Sequence, residues 1–143
     1  MTQVAFHTGI DDTLSYACRL LRKAYRQGAR VVVTGSAELL QRLDRQLWIF
    51  EPLEFVPHLR LKAGAAPTPH QLRTPIWLAE SGARAPHLEV LVNLGPEIPE
   101  DGPSFTRIIE LVSSDPEGLA AGRQRWRAYE TQGLGPVVAK GSS

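Results

Sequence analysis

Two short segments limit the possible folds of this chain more than any other feature. Val31-Val32-Val33 and Val90-Leu91-Val92-Asn93-Leu94 are apolar at almost every position, without the alternation of a half-solvated strand. Runs this short and this rich in β-branched residues read as strands buried on both faces, which means a parallel sheet covered by helices on either side. The neighbouring segments have the other rhythm. Leu14, Ala17, Cys18, Leu21 and Tyr25 recur at helical spacing behind Asp11 or Asp12 as N-cap, and Gly28 ends that helix. Ser36 caps a second helix, striped by Leu39, Leu40, Leu43 and Leu47 and closed by Trp48. With Val4-Ala5-Phe6-His7 as a short first strand, the chain begins β-α-β-α.

Proline then changes the texture. Nine of the eleven prolines lie between Pro52 and Pro103, which excludes long helices from that stretch. Within it, Ile76-Trp77-Leu78-Ala79 joins the Val90 run as a strand, and residues 59–74 read as a loop rich in Gly, Ala and Pro. A helical turn at Ser104-Phe105 and a strand over residues 107–112 follow. Asp115 as N-cap, Pro116 at the first helical position and Gly133 as the stop delimit a last helix. The reading is one α/β domain over residues 1–134, three layers with a mainly parallel sheet flanked by helices. Residues 135–143 read as a loose C-terminal tail.

Composition excludes several functional classes. A chain of 143 residues buries roughly two thirds of its unfolded surface and needs no staple. Its single cysteine, Cys18, leaves no pair for an intramolecular disulfide, which suits a reducing, cytoplasmic setting. Apolar runs of about four residues fall far short of a bilayer span, and the start at Val4-Ala5-Phe6 shows no basic n-region of a secretory signal. A formal charge of +1 disfavours a protein living on phosphate contacts.

Signs of catalysis are equally sparse. Thr34-Gly35-Ser36 follows a strand, but the chain contains no G-x-G-x-x-G and no G-x-x-x-x-G-K-[ST], so the backbone cradle for a pyrophosphate is missing. His7, His58, His70 and His87 are scattered, with no two at i, i+4. Ser36 and Ser104 lack the glycines of a nucleophile elbow. No metal or cofactor is expected. Two competing functions stay open: a nucleotide-binding enzyme with its pocket near Gly9 and Gly35, and a direct nucleic-acid binder using Arg19, Arg22, Lys23, Arg26 and Arg30.

The last helix is more informative. Leu119, Arg123, Trp126, Arg127 and Glu130 fall on one broad face, because spacings of three, four and seven return to the same side. Guanidinium groups beside an indole suit a carboxylate joined to an apolar side chain. The competing reading has Trp126 and Tyr129 packed on the sheet with the arginines snorkelling to water.

Three segments in this order resemble one known family: Leu43-Asp44-Arg45-Gln46-Leu47-Trp48, then Phe55-Val56-Pro57-His58, then Arg123-Gln124-Arg125-Trp126-Arg127-Ala128-Tyr129 with Gly133. Together with Pro75-Ile76 they are similar to the chi subunit of bacterial DNA polymerase III holoenzyme. The resemblance implies a Rossmann-like fold without a nucleotide, and a non-catalytic adaptor of the clamp-loader complex. It implies binding of the psi subunit on one surface and of the acidic C-terminal tail of single-stranded DNA-binding protein on another. A DNA-repair helicase is a further candidate partner. DNA would be touched only indirectly, no membrane is involved, and the protein would be cytoplasmic and join the nucleoid through the replisome. By position, the tail-binding pocket would fall on Trp48, Val112, Arg123, Trp126 and Arg127, and the psi interface on Phe55, Val56, Pro57 and His58. Leu119 stands where the family can carry lysine, so Arg125 or Arg127 would have to supply that charge.

Overall fold

In the computed structural model, which describes residues 2–49, 55–80 and 83–140, strand β1 (Gln3–Ile10) passes to helix α1 (Thr13–Arg26) through Asp12. Of the two candidate aspartates, Asp12 makes the cap. Its carboxylate accepts the Ser15 backbone N–H at 3.2 Å and Ser15 Oγ at 2.9 Å, satisfying a donor that the first helical turn leaves over. Beyond α1, Gly28 takes φ +77°, the left-handed conformation a Cβ would strain. Strand β2 (Val31–Gly35) then leads to α2 (Ala37–Ile49), where Ser36 Oγ accepts the Leu39 N–H at 3.2 Å.

The remaining elements are β3 (His58–Leu61), β4 (Ile76–Glu80), β5 (Val90–Asn93), β6 (Arg107–Ser113), α3 (Pro116–Thr131) and β7 (Val137–Lys140). Single 3-10 turns cover Gln71–Arg73 and Gly102–Ser104. Among the described residues all seven strands join one parallel sheet, in the order β3-β4-β2-β5-β6-β1-β7.

Register divides the core into two layers. Val31 and Val33 pair with Ile76, Leu78, Val90 and Val92 and face α1 and α2, where Leu21, Leu40, Leu43 and Leu47 close over them. Val32, Trp77 and Leu91 face the other way, into a layer completed by Phe6, Ile108, Val112 and Tyr129. Cys18 is fully buried in the first layer, and burial pushes its thiol up to about 11.

Two expectations need correction. The 59–74 stretch is not all loop, because His58–Leu61 forms edge strand β3 against β4. An edge strand is paired on one side only, so four residues with Arg60 partly exposed suffice, and no long apolar run marks it. The segment expected to be a loose tail likewise supplies β7, pairing Ala5 with Val137 and Phe6 with Val138. Gly133 and Gly135, at φ +76° and +58°, turn the chain out of α3 and into that register.

Close approach of α3 to the sheet depends on Gly122. A Cβ there would meet Val112 Cγ1 at 2.8 Å and Cγ2 at 3.1 Å. Alanine ordinarily gains about 1 kcal/mol over glycine inside a helix. Overpacking against the stiff valine costs about 1–3 kcal/mol, so Gly122→Ala should lower the urea midpoint, and Gly122→Ala with Val112→Ala should restore it.

A second expectation concerns pH. Burial lowers the proton affinity of the half-buried rings of His7 and His87 below the ordinary 6.5, reinforced by Arg107 and Lys23 near His7 and by Arg30 near His87. The unfolded chain therefore takes up these protons first. Their contribution is complete above 6.5 and is lost as pH falls from there through the lowered values. Urea midpoints should decrease between pH 7 and pH 5, and His87→Gln should flatten that decrease.

Candidate functional site

Helix α3 starts where the Asp115 carboxylate accepts the Gly118 N–H at 3.0 Å. A side-chain bond from Ser113, with that N–H, holds the Asp115 carboxyl below the usual range. From there the helix presents two faces of opposite chemistry. Gly122, Arg125 and Tyr129 are buried against the sheet. Arg123, Arg127 and Glu130 are exposed, Leu119 is partly exposed, and Trp126 lies at the boundary.

The buried face is organised by a carboxylate. Glu110 of β6 has no exposed surface. It accepts Arg125 Nε at 2.7 Å, Tyr129 Oη at 2.5 Å, and Asn93 Nδ2 at 3.1 and 3.0 Å on its two oxygens. Arg125 Nη2 also donates to the Leu111 carbonyl at 3.1 Å. Burial pushes the Glu110 carboxyl up, while Tyr129, Arg125 and Asn93 pull the other way. Burial and the adjacent carboxylate push the Tyr129 phenol far above its ordinary value, so it serves as a fixed donor. Arg125 therefore cannot supply the charge missing at Leu119. Arg127, which is exposed, remains available.

On the outer face, the Trp126 ring rests edge-on against Phe6 of β1, centroids 5.1 Å apart. Arg123 stands three residues earlier, about one helical turn away, so an exposed guanidinium and a partly exposed indole share one stretch of surface. Val112 lies under Gly122 and is buried, a support for this face and not a contact surface.

Trp48 is not brought here. It ends α2 on the other side of the sheet, 61% exposed, with its ring 5.0 Å from Phe55 and 5.6 Å from His58. Four inter-strand spacings, about 19 Å, separate β3 beside it from β6 under α3. Of the segment Phe55-Val56-Pro57-His58, Phe55 is 54% exposed, whereas Val56 and His58 are buried. His58 acts from beneath. Its Nδ1 faces the Val56 carbonyl and its Nε2 faces Asp44 Oδ1, each at 2.7 Å. The bond ties α2 to β3 below the exposed pair Trp48 and Phe55.

A cleft of about 530 Å³ opens at the C-terminal ends of β2, β4 and β5, where Thr34, Gly35 and Ser36 meet Glu80, Glu97, Glu100 and Asp101. Its described lining carries four carboxylates, of which Glu80 pairs with Arg60 at 3.3 Å, and no lysine or arginine, electrostatics that disfavour a phosphate. Among the described residues no group of three His, Cys, Asp or Glu side chains could hold a metal ion, and no helix is long and apolar enough to cross a membrane.

Sequence reasoning missed Glu110 and Asn93. Both interrupt otherwise apolar strand runs, a readable sign of a buried polar pair.

A seven-stranded parallel sheet covered by α1 and α2 on one face and by α3 on the other defines a Rossmann-like domain. The model of the family described as "DNA polymerase III chi subunit, HolC" matches residues 1–136. DNA polymerase III subunit chi of Pseudomonas aeruginosa is 35% identical over 138 residues, covering 93% of this chain and 92% of that protein. The Haemophilus influenzae subunit is 34% identical over 119 residues, covering 82% and 79%. The chain belongs to the DNA polymerase III chi subunit family, and it is a DNA-replication protein.

The Glu110–Arg125 pair carries a stability consequence. Arg125→Met strands a buried carboxylate and should cost about 3–5 kcal/mol in urea unfolding. Combining it with Glu110→Leu removes the stranded charge and should recover a large part of that loss.

Proposed function

We propose that this chain is a non-catalytic adaptor of the replicase, and that its α3 face takes the acidic C-terminal tail of single-stranded DNA-binding protein. The observation that carries the reading is Arg123 exposed one turn from Trp126, whose ring is propped on Phe6. A peptide ending in an apolar residue with a free carboxylate sets its side chain against the indole and its terminus on the guanidinium. Aspartates upstream of that end gain from Arg127. A small patch and exposed charges give a weak to moderate affinity that falls with salt.

The psi subunit takes the second surface, built from Trp48 and Phe55, with Ile49 beside them 70% exposed. His58, Val56 and Pro57 belong to this surface as its support. Exposed apolar side chains grouped in this way mark protein-binding sites. With partners on both sides of the sheet, the domain links the clamp-loader complex to coated single-stranded template without touching DNA.

Titration with a tail peptide of this chemistry should show about a tenfold weaker Kd for Arg123→Ala and for Trp126→Ala. Trp48→Ala should leave that Kd unchanged, while Trp48→Ala and Phe55→Ala should each reduce co-purification with psi. Unchanged peptide binding by Arg123→Ala removes the α3 site.

A further inference from the structure

We propose that Glu110 is a positioning residue for the α3 binding face: from inside the sheet layer, it sets the rotation of the helix that puts Arg123 and Trp126 outward together. This rests on the reading of α3 as the peptide-binding surface. Residues advance about 100° each around a helix, so the direction of Arg125 and Tyr129 determines the direction of Arg123 and Trp126. Three helix residues set that direction against three successive residues of β6, Glu110, Leu111 and Val112. Arg125 gives Glu110 one charged hydrogen bond at 2.7 Å and the Leu111 carbonyl another at 3.1 Å, so its fork is held at two points on β6. Tyr129, one turn on, reaches the other Glu110 oxygen. Gly122, one turn back, lets the helix down onto Val112.

Apolar contacts alone would not settle this rotation. The buried positions of α3 are one glycine, one tyrosine and one arginine, so its inward face offers little apolar surface, chiefly Tyr129 with Trp126 beside it on Phe6, and such contacts are less directional than a hydrogen bond. Hydrogen bonds to a carboxylate with no exposed surface have no such latitude, because a buried charge that loses a donor is not rescued by water. Phe6 links the inner and outer faces. Its ring is 5.9 Å from Tyr129 and 5.1 Å from Trp126, so the depth at which Tyr129 meets Glu110 also sets how Trp126 sits. Asn93 anchors the carboxylate from the other side. Its Nδ2 donates to Glu110 and to the Glu97 carbonyl at 2.8 Å, while its Oδ1 accepts Thr34 Oγ1 at 3.1 Å and the Gly95 N–H at 2.9 Å. The orientation of α3 is thereby referred to β2, β5 and β6 at once.

The test uses the full chain with 5-fluorotryptophan, the Trp126 resonance being assigned by its loss in Trp126→Phe. Affinity for the acidic tail peptide and the fluorine shift are read well below the unfolding temperature. Arg125→Gln should weaken binding about five- to tenfold and move the Trp126 resonance, although Arg125 makes no contact with the peptide. Arg125→Lys keeps a cation facing Glu110 and should return both readouts close to the wild type. Leu40→Ala, a comparably destabilising change on the far side of the sheet, should alter neither. If Arg125→Gln does not fold, Tyr129→Phe, which removes one hydrogen bond, should give the same two effects in smaller measure. Wild-type affinity and an unmoved Trp126 resonance in a folded Arg125→Gln or Tyr129→Phe chain overturn the proposal. If the wild-type chain does not bind the peptide, or Arg123→Ala binds as well as it does, the adaptor reading fails instead. The fluorine shift then decides the positioning role by itself.

Discussion

A carboxylate with no access to water has to be given hydrogen bonds, and much of this structure follows from meeting that need at Glu110. Desolvating it is expensive, and the chain answers with donors from Arg125, Tyr129 and Asn93. Two of the donors share α3 and the third lies on β5, so the carboxylate is satisfied only when β5, β6 and α3 are all in register. An apolar residue at the same point would pack against many helix rotations. A carboxylate with directional partners accepts few, and so a residue costly to bury gives the helix one orientation.

The sheet then separates the two surfaces proposed for recognition. On one side, Trp48 near the end of α2 meets Phe55 above a partly buried His58–Asp44 bond. On the other, α3 carries Arg123 and Trp126 above the Glu110 network. Both surfaces set an aromatic ring, exposed at Trp48 and partly exposed at Trp126, near a polar contact that joins two elements. Two partners bound at these places would not compete for space, as an adaptor requires. The cleft at the strand ends, where a Rossmann-like domain ordinarily receives a phosphate, has no lysine or arginine among its described lining residues, and its Glu80 is paired with Arg60.

Much of the fold was legible because its signals are local. Strand runs at Val31 and Val90, the aspartates ahead of α1 and α3, Ser36 ahead of α2 and Gly28 and Gly133 behind their helices act within a few residues, and each appears where expected. The two edge strands were not legible. His58–Leu61 and Val137–Lys140 are short, and their strand character comes from a neighbour distant in the chain, β4 for one and β1 for the other. The outward face of α3 could be read from periodicity. Grouping Trp48 with it could not be corrected from sequence, because spacing along a chain does not say on which side of a sheet a helix will lie.

Arg123, Arg125 and Arg127 show where local information ends. Sequence alone determined that α3 is helical, where it starts and stops, and that its composition is wrong for a plain core stripe. The three arginines are chemically identical; periodicity sets Arg125 apart from Arg123 and Arg127, yet nothing near it says that a charged side chain there is buried. Tertiary structure decided that Arg125 turns in, because Glu110, fifteen residues away, offers a buried negative charge at one point of the helix circumference. Arg123 and Arg127 face solvent as a consequence of that geometry. Helix formation is an affair of neighbours within a turn or two, whereas desolvating a charge is settled by whatever the folded chain brings within hydrogen-bond distance.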